Sequence, residues 1–108
     1  MKTIGIIGAS GFIGTSLRKL LDHSDYDVSC FDNRLSDESI MYLDVSQPFA
    51  SIDLGHVDVL INLAAEHRDD VQPVSRYDSV NVEGARNVCQ YVQINFDELR
   101  NIFVLKKN

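Results

Sequence analysis

Three glycines follow a short apolar run near the start of the chain, in the stretch IIGASGFIGTSL at 6–17. Gly8, Gly11 and Gly14 are separated from one another by two residues each. An apolar strand pattern precedes them and a helical pattern follows, so the first helix is expected to begin in this turn with free backbone N–H groups that bind phosphate. Gly8 permits the tight turn, Gly11 lets the phosphates approach the backbone, and Gly14 lets the helix pack near the strand.

A carboxylate stands where the second half of such a site is expected. Asp32 follows the segment YDVSCF, 24 residues after Gly8. A carboxylate at the end of the second strand accepts hydrogen bonds from the ribose hydroxyls of an adenosine and repels a 2′-phosphate, which favours NAD over NADP. Two observations weigh against this interpretation: Arg34 is of the type that accommodates a 2′-phosphate, and an aspartate that ends a strand is also a common turn residue.

These residues would be positioned by strands and helices that alternate along the chain. We predict strands at 2–7, 26–31, 40–43, 56–63 and 102–105, and helices from about 11 to 21, at 48–54 and at 74–92. The segment HVDVLINL at 56–63 is nearly continuously apolar, as is typical of a parallel strand covered on both faces. The order therefore predicts a doubly wound, Rossmann-like parallel α/β sheet with strand order 3-2-1-4-5.

Length and composition exclude several classes of function. A chain of 108 residues is one domain at most. Its net charge of −6, with no basic run longer than Lys106–Lys107, argues against a nucleic-acid or acidic-membrane surface. No apolar run reaches the ~20 residues of a membrane span, and no signal peptide is recognisable, so we expect a cytoplasmic location.

Cysteine and histidine add no chemistry of their own. Cys30 and Cys89 are far apart in the sequence, and we expect two small buried thiols in a reducing compartment. His56 and His67 lack a second ligand at metal spacing, and we expect no metal site.

Five motifs in order resemble the extended short-chain dehydrogenase/reductase family, and more narrowly its NAD-dependent nucleotide-sugar epimerases and dehydratases. They are GASGFIG at 8–14, FDN at 31–33, LDV at 43–45, NLAA at 62–65 and YDSVNVEGARNV at 77–88. The similarity runs from Met1 to about Val92. It implies NAD as the cofactor and a nucleotide-sugar as the substrate of a full-length member.

The resemblance also implies a role for each matching residue. The pyrophosphate turn would comprise Gly8, Ser10, Gly11, Phe12, Ile13 and Gly14. Asp32 and Asn33 would hold the adenosine ribose, and Asp44 and Val45 the adenine. The path to the nicotinamide half would be lined by Leu63, Ala64 and Ala65, and Asn81 matches the family's helix asparagine.

The family's catalytic tyrosine, with a lysine four residues later, has no match. Four residues after the four tyrosines stand other types, at Cys30, Ser46, Asn81 and Asn95. The family's substrate domain and the serine-rich segment after the fifth strand are also without a counterpart. We therefore expect an incomplete, truncated dinucleotide-binding domain over 1–108, no catalytic residues, and no turnover by this chain alone.

Four functions remain open from the sequence. The first is the NAD-binding N-terminal portion of an epimerase or dehydratase. The second is a non-catalytic dinucleotide-sensing or scaffold module, which the tail favours if Ile102–Leu105 completes the sheet. The third is a structural remnant that binds no ligand and associates, as a homodimer, through an exposed sheet edge. The fourth is an active enzyme that receives its tyrosine and lysine from another chain.

Overall fold

The computed structural model describes residues 2–49, 52–64, 74–95 and 101–104, with side chains for 2–49, 52–64 and 82–93. In chain order the elements are β1 (Thr3–Ile7), α1 (Phe12–Leu21), β2 (Asp27–Asp32), β3 (Ile40–Tyr42), β4 (Val59–Asn62), α2 (Val74–Asn95) and β5 (Asn101–Val104). The strands form one parallel sheet in the order β3-β2-β1-β4-β5. The predicted doubly wound order is therefore confirmed.

The central strand β1 sets the register of the sheet. Its last residue, Ile7, lies opposite Phe31 of β2 and Asn62 of β4. Because every strand is parallel, the residues that follow their carboxyl ends meet at one edge of the sheet. This edge, which we call the carboxyl edge, brings together the glycine turn and the residues after β2, β3 and β4.

Two apolar clusters cover the two faces of the sheet. On one face Val88 and Tyr91 of α2 pack with a buried group from the sheet and the loops: Ile7, Phe31, Leu43, Phe49, Leu54, Val57 and Leu60. On the other face Leu17 and Leu21 of α1 pack against Ile4, Ile6, Ala9, Cys30 and Ile40. Burial on both faces explains why β1 and β4 are nearly continuously apolar.

Polar bonds also anchor α2. The Leu54 amide donates a hydrogen bond to Tyr91 Oη (2.9 Å), and the Tyr91 ring stacks on Phe49 with centroids 5.2 Å apart. The buried Asn87 donates from Nδ2 to the carbonyl of Val45 (2.7 Å). These bonds attach α2 to the chain that follows β3.

The short helix predicted at 48–54 is wrong for the residues of that segment that are described. Pro48, Phe49 and 52–54 are not helical, and the amide of Ile52 bonds to the carbonyl of Phe49 (2.9 Å). Phe49 and Leu54 are both buried in the α2-side cluster. Residues five apart on an α-helix point to different faces, so the burial of both in one cluster fits the non-helical backbone of the described residues.

Smaller differences concern strand ends and thiols. The strand predicted at 56–63 is shorter, because β4 begins at Val59 and ends at Asn62. Both cysteines are free, but only Cys30 is buried; Cys89 is exposed on α2, contrary to the prediction of two buried thiols.

Candidate functional site

Gly8 is required by the chain's own backbone. Its φ of +86° lies in the left-handed region that side chains disfavour. A Cβ there would lie 2.7 Å from the nitrogen of Ala64 and 2.7 Å from the carbonyl carbon of Leu63. The chain leaving β4 therefore packs directly on the glycine turn.

Gly14 and Gly11 differ in what surrounds them. A Cβ on the buried Gly14 would strike the carbonyl oxygen of Gly8 and lie 2.8 Å from the Cα of Ala9. Gly11 has an ordinary φ of −76°, and its Cβ would meet only the carbonyl oxygen of Gly8, at 3.4 Å. Ordinary van der Waals contact at that distance means that the described chain does not require glycine at position 11.

The N-terminus of α1 is open to an anion. Gly11 is the N-cap and supplies no side-chain bond, and the first turn holds no acidic residue. The first helical bond runs from the Thr15 amide to the Gly11 carbonyl (2.9 Å), so the amides of Phe12, Ile13 and Gly14 have no acceptor within the helix. Free amides and the positive end of the helix dipole favour a phosphate group at this point.

Asp32 holds the turn and the next loop together. Its Oδ2 accepts a hydrogen bond from the Ser10 amide (2.9 Å), and its Oδ1 accepts one from the Arg34 amide (3.0 Å). The predicted ribose ligand thus also has a structural role. Each carboxylate oxygen has a second lone pair, which leaves it able to accept a further hydroxyl.

Ser10 makes a second set of bonds to the same loop. Its buried hydroxyl donates to the carbonyl of Arg34 (2.6 Å) and lies 2.9 Å from the hydroxyl of Ser36. In return, Nη2 of Arg34 donates to the carbonyl of Ser10 (2.6 Å). The sequence indicated Arg34 only as a residue type suited to a 2′-phosphate, and no local pattern predicts its bond to the turn.

Those of the remaining predicted residues that the structure describes also lie at the carboxyl edge. Asn33 is exposed after β2. After β3, Oδ1 of Asp44 accepts bonds from the amide (3.0 Å) and hydroxyl (2.6 Å) of Ser46, and the Val45 carbonyl accepts the Asn87 bond. The geometry therefore brings the adenosine-side candidates together, and their contact with a ligand stays a prediction.

The nicotinamide-side candidates are described only in part. The Leu63 amide bonds to the Ile7 carbonyl (2.7 Å), and the Ala64 amide to Oδ1 of Asn62 (3.1 Å), so both sit beside the glycine turn. Ala65 and His67 lie outside the described residues. Asn81 is in α2, but its side chain is outside the description.

No described tyrosine side chain has a lysine four residues later in the sequence. Tyr26 and Tyr42 are exposed, and Tyr91 is in the core with its hydroxyl bonded to Leu54. Among the residues that the structure describes, no group of three metal-ligating side chains comes together. No helix within those ranges is long and apolar enough to cross a membrane.

Comparison with known proteins adds the family. The chain matches the model of the NAD dependent epimerase/dehydratase family over residues 4–104. It is 38% identical over 97 residues to N-acetyl-alpha-D-glucosaminyl-diphospho-ditrans,octacis-undecaprenol 4-epimerase of Escherichia coli O157:H7. That match covers 83% of this chain but only 28% of the length of the relative.

Two solved structures share the fold. A short-chain dehydrogenase/reductase superfamily protein of Agrobacterium tumefaciens with bound NAD is 20% identical at a TM-score of 0.71, covering 94% of this chain and 31% of that one. Gre2 of Candida albicans in complex with NADPH is 19% identical at a TM-score of 0.71, covering 96% and 36%. Because the family model matches residues 4–104, nearly the whole of this chain, the chain belongs to the NAD-dependent epimerase/dehydratase family.

Proposed function

We propose that this chain binds NAD across its glycine turn and does not turn over a substrate by itself. The observation that carries the proposal is Gly11. Gly8 and Gly14 are explained by backbone contacts within the chain. Gly11 is the N-cap of α1 and supplies no side-chain bond, and a Cβ there would make only an ordinary contact with the described chain. A pyrophosphate accounts for a glycine that the fold does not require.

The rest of the carboxyl edge has groups suited to the adenosine half. Asp32 has lone pairs left for ribose hydroxyls and is flanked by Asn33. Asp44 and Val45 follow the neighbouring strand β3, and we assign them to the adenine. Leu63 and Ala64 leave room beside the turn, and we assign them with Ala65 and Asn81 to the nicotinamide half.

The proposed lack of turnover rests on the absence from the sequence of a tyrosine with a lysine four residues on. The chain spans 28% of the length of the epimerase that it matches, and we assign the nucleotide-sugar to such a full-length relative. With free thiols at Cys30 and Cys89, a reducing cytoplasmic location fits the proposal.

Calorimetric titration of the purified chain with NAD, ADP and nicotinamide mononucleotide tests the proposal. We expect saturable but weak binding of NAD, similar binding of ADP, and none of the mononucleotide, because the adenosine side carries the contacts. Circular dichroism on the same sample establishes that the chain is folded. A folded chain that gives no saturable heat with NAD or ADP contradicts the proposal.

A second candidate is a non-catalytic dinucleotide sensor or scaffold. The observation that favours it is β5, which pairs with β4 in full register from Asn101 to Val104. If NAD binding changes the association of the chain with a partner protein, the chain acts as a sensor or scaffold. If it does not, the chain is a nucleotide-binding portion with no separate role. Pull-down from a lysate of the source organism, with and without NAD, measures that difference.

A further inference from the structure

The face of α2 that packs on the sheet includes a buried amide. Among the side chains that the structure describes on α2, the buried residues are Gly84, Asn87, Val88 and Tyr91. Their spacing places all four on one face of the helix. Asn87 is only 3% exposed, and a buried amide lowers stability unless its polar atoms are bonded. An asparagine on this face therefore requires a hydrogen-bonding partner.

The partner of Asn87 is the backbone of Val45, in the chain that leaves β3. Nδ2 of Asn87 donates to the Val45 carbonyl at 2.7 Å. Gly84 approaches the same residue one turn earlier in the helix, because a Cβ at position 84 would lie 3.1 Å from Cγ2 of Val45. The Val45 side chain is also packed, partly buried, against the α2-side cluster. The helix thus holds Val45 by its carbonyl and by its side chain.

The carbonyl that Asn87 holds lies in a turn at 43–47 with local bonds of its own. Oδ1 of Asp44 accepts from the amide (3.0 Å) and the hydroxyl (2.6 Å) of Ser46. The Leu43 amide bonds to the carbonyl of the last residue of β2 (3.0 Å). These bonds shape the 43–47 turn and attach its first residue to β2. The bond from Asn87 fixes the position of the turn against α2.

The 43–47 turn carries the two residues that we assign to the adenine, so its position affects which base it can recognise. A carboxylate only accepts hydrogen bonds. Asp44 therefore suits the amino group of adenine and not the carbonyl oxygen that hypoxanthine has in its place. The bonds from Ser46 leave the carboxylate able to accept a further donor. Because hydrogen bonds weaken steeply with distance and angle, a displaced turn would lose this selection.

We propose that Asn87 is a positioning residue for base selection. Its bond to the Val45 carbonyl holds the 43–47 turn in place. From that place Asp44 accepts a hydrogen bond from adenine and rejects a base that has a carbonyl in the same position. The inference rests on the proposed function, which assigns Asp44 and Val45 to the adenine. Asn87 acts through the turn, because its own side chain is buried and bonded to Val45.

Tyr91 provides a matched comparison on the same face of α2. Its hydroxyl accepts from the Leu54 amide (2.9 Å). Asn87 and Tyr91 each tie α2 to the connection between β3 and β4, so loss of either bond is expected to lower stability. The two bonds differ in place, since that of Asn87 is at the 43–47 turn and that of Tyr91 is nearer β4. Removing each one separates base selection from a general loosening of α2.

Two nucleotides that differ only in the base, ADP and inosine 5′-diphosphate, measure the effect. In calorimetric titration of the full chain we expect ADP to bind about tenfold more tightly, the order of one hydrogen bond to a charged group. Asn87→Leu approximately keeps the shape of the side chain and removes the donor. It is expected to lower ADP affinity about five- to tenfold and to change inosine diphosphate affinity by less than about twofold, so that the preference is nearly lost. Tyr91→Phe is expected to lower stability and to leave the preference unchanged.

Circular dichroism establishes that each variant is folded. If Asn87→Leu is unfolded, Asn87→Ala is titrated in its place with the same expectation, because its smaller side chain cannot strain the core.

The outcomes separate the two proposals. A preference for ADP that stays about tenfold in the Asn87 variant, or that falls as far in Tyr91→Phe, overturns the role of Asn87 and leaves nucleotide binding standing. Equal binding of the two diphosphates by the natural chain also overturns it, because there is then no base selection to position. Failure of NAD and of both diphosphates to bind a folded chain overturns the proposed function, and the inference with it.

Discussion

At the scale of single residues, Gly11 and Gly14 lie three positions apart and have different reasons for lacking a side chain. Gly11→Val is expected to keep the fold, because a Cβ at this position fits, and to weaken NAD binding at least tenfold, because the branched side chain would occupy the phosphate position. Gly14→Ala is expected to destabilise the fold by about 1–3 kcal/mol, since its Cβ would strike backbone. Urea unfolding and calorimetry on both variants measure the two effects. Unchanged NAD affinity in Gly11→Val would remove the turn from the site.

Asp32 has a structural role in the turn and a proposed role as ribose ligand, and substitution can separate the two. Asp32→Ala is expected to lower the ratio of the NADP to the NAD dissociation constant, because it removes both the ribose acceptor and the charge that repels a 2′-phosphate. Asp32→Asn retains an acceptor for one of the two amides that the carboxylate now holds, and serves as the control for loosening of the turn. A ratio that is the same in Asp32→Ala and the natural chain would exclude Asp32 from cofactor recognition.

The sequence predicts some residues of this site better than others. The glycines and Asp32 follow from spacing, because the strand–turn–helix unit and the end of the next strand are local features. The contacts of Ser10 with Arg34 and Ser36, and of Asn87 with Val45, join residues 24 to 42 positions apart. Such contacts depend on how the strands align, and a single sequence carries no periodic signal for them.

At the scale of elements, α2 is held by one buried phenol as well as by apolar packing. Tyr91→Phe is expected to cost about 1–3 kcal/mol, because the buried amide of Leu54 would lose its acceptor. Tyr42→Phe, which alters an exposed ring on β3, should remain within about 0.5 kcal/mol of the natural chain. Chemical denaturation of both variants makes the comparison, and equal stabilities would mean that the Leu54–Tyr91 bond contributes nothing net.

Elements with a long or regular apolar pattern can be predicted from the sequence, whereas the backbone of the segment 48–54 cannot. The strands of the sheet and both long helices follow from apolar periodicity. At 48–54 the apolar residues satisfy a weak helical pattern, but tertiary packing draws Phe49 and Leu54 into one cluster. A helix this short has too little stability of its own to resist that packing.

At the scale of the whole molecule, one carboxylate at the edge opposite the carboxyl edge links stability to pH. The Thr3 amide bonds to Oδ2 of Asp58 (2.8 Å) and lowers the pKa of that carboxyl, and the nearby His56 ring adds to the effect. A lowered pKa in the folded state stabilises the chain above about pH 4, and this contribution is lost as the pH falls through the lowered value. The gap in urea midpoint between the natural chain and Asp58→Asn should therefore narrow from pH 6 to pH 3. A gap that is constant over that range would contradict the assignment.

The two outer strands of the sheet determine whether the chain is expected to associate with a second copy. The outer strands are β3, of three residues, and β5, of four. Unpaired N–H and C=O groups along an outer strand can pair with a second copy, and we expect a weak, concentration-dependent homodimer. Sedimentation equilibrium measures it, and a monomer at every soluble concentration would exclude edge pairing.

The contact between Gly8 and the Leu63–Ala64 backbone joins parts of the chain about 56 residues apart, which bears on folding kinetics. Closing so long a segment is slow compared with forming α1, so the turn acquires its final shape only when β4 docks on β1. A ligand that needs the finished turn binds the native state and not its precursors. Added NAD should therefore slow unfolding and leave the refolding rate unchanged, as stopped-flow mixing with and without the nucleotide would measure.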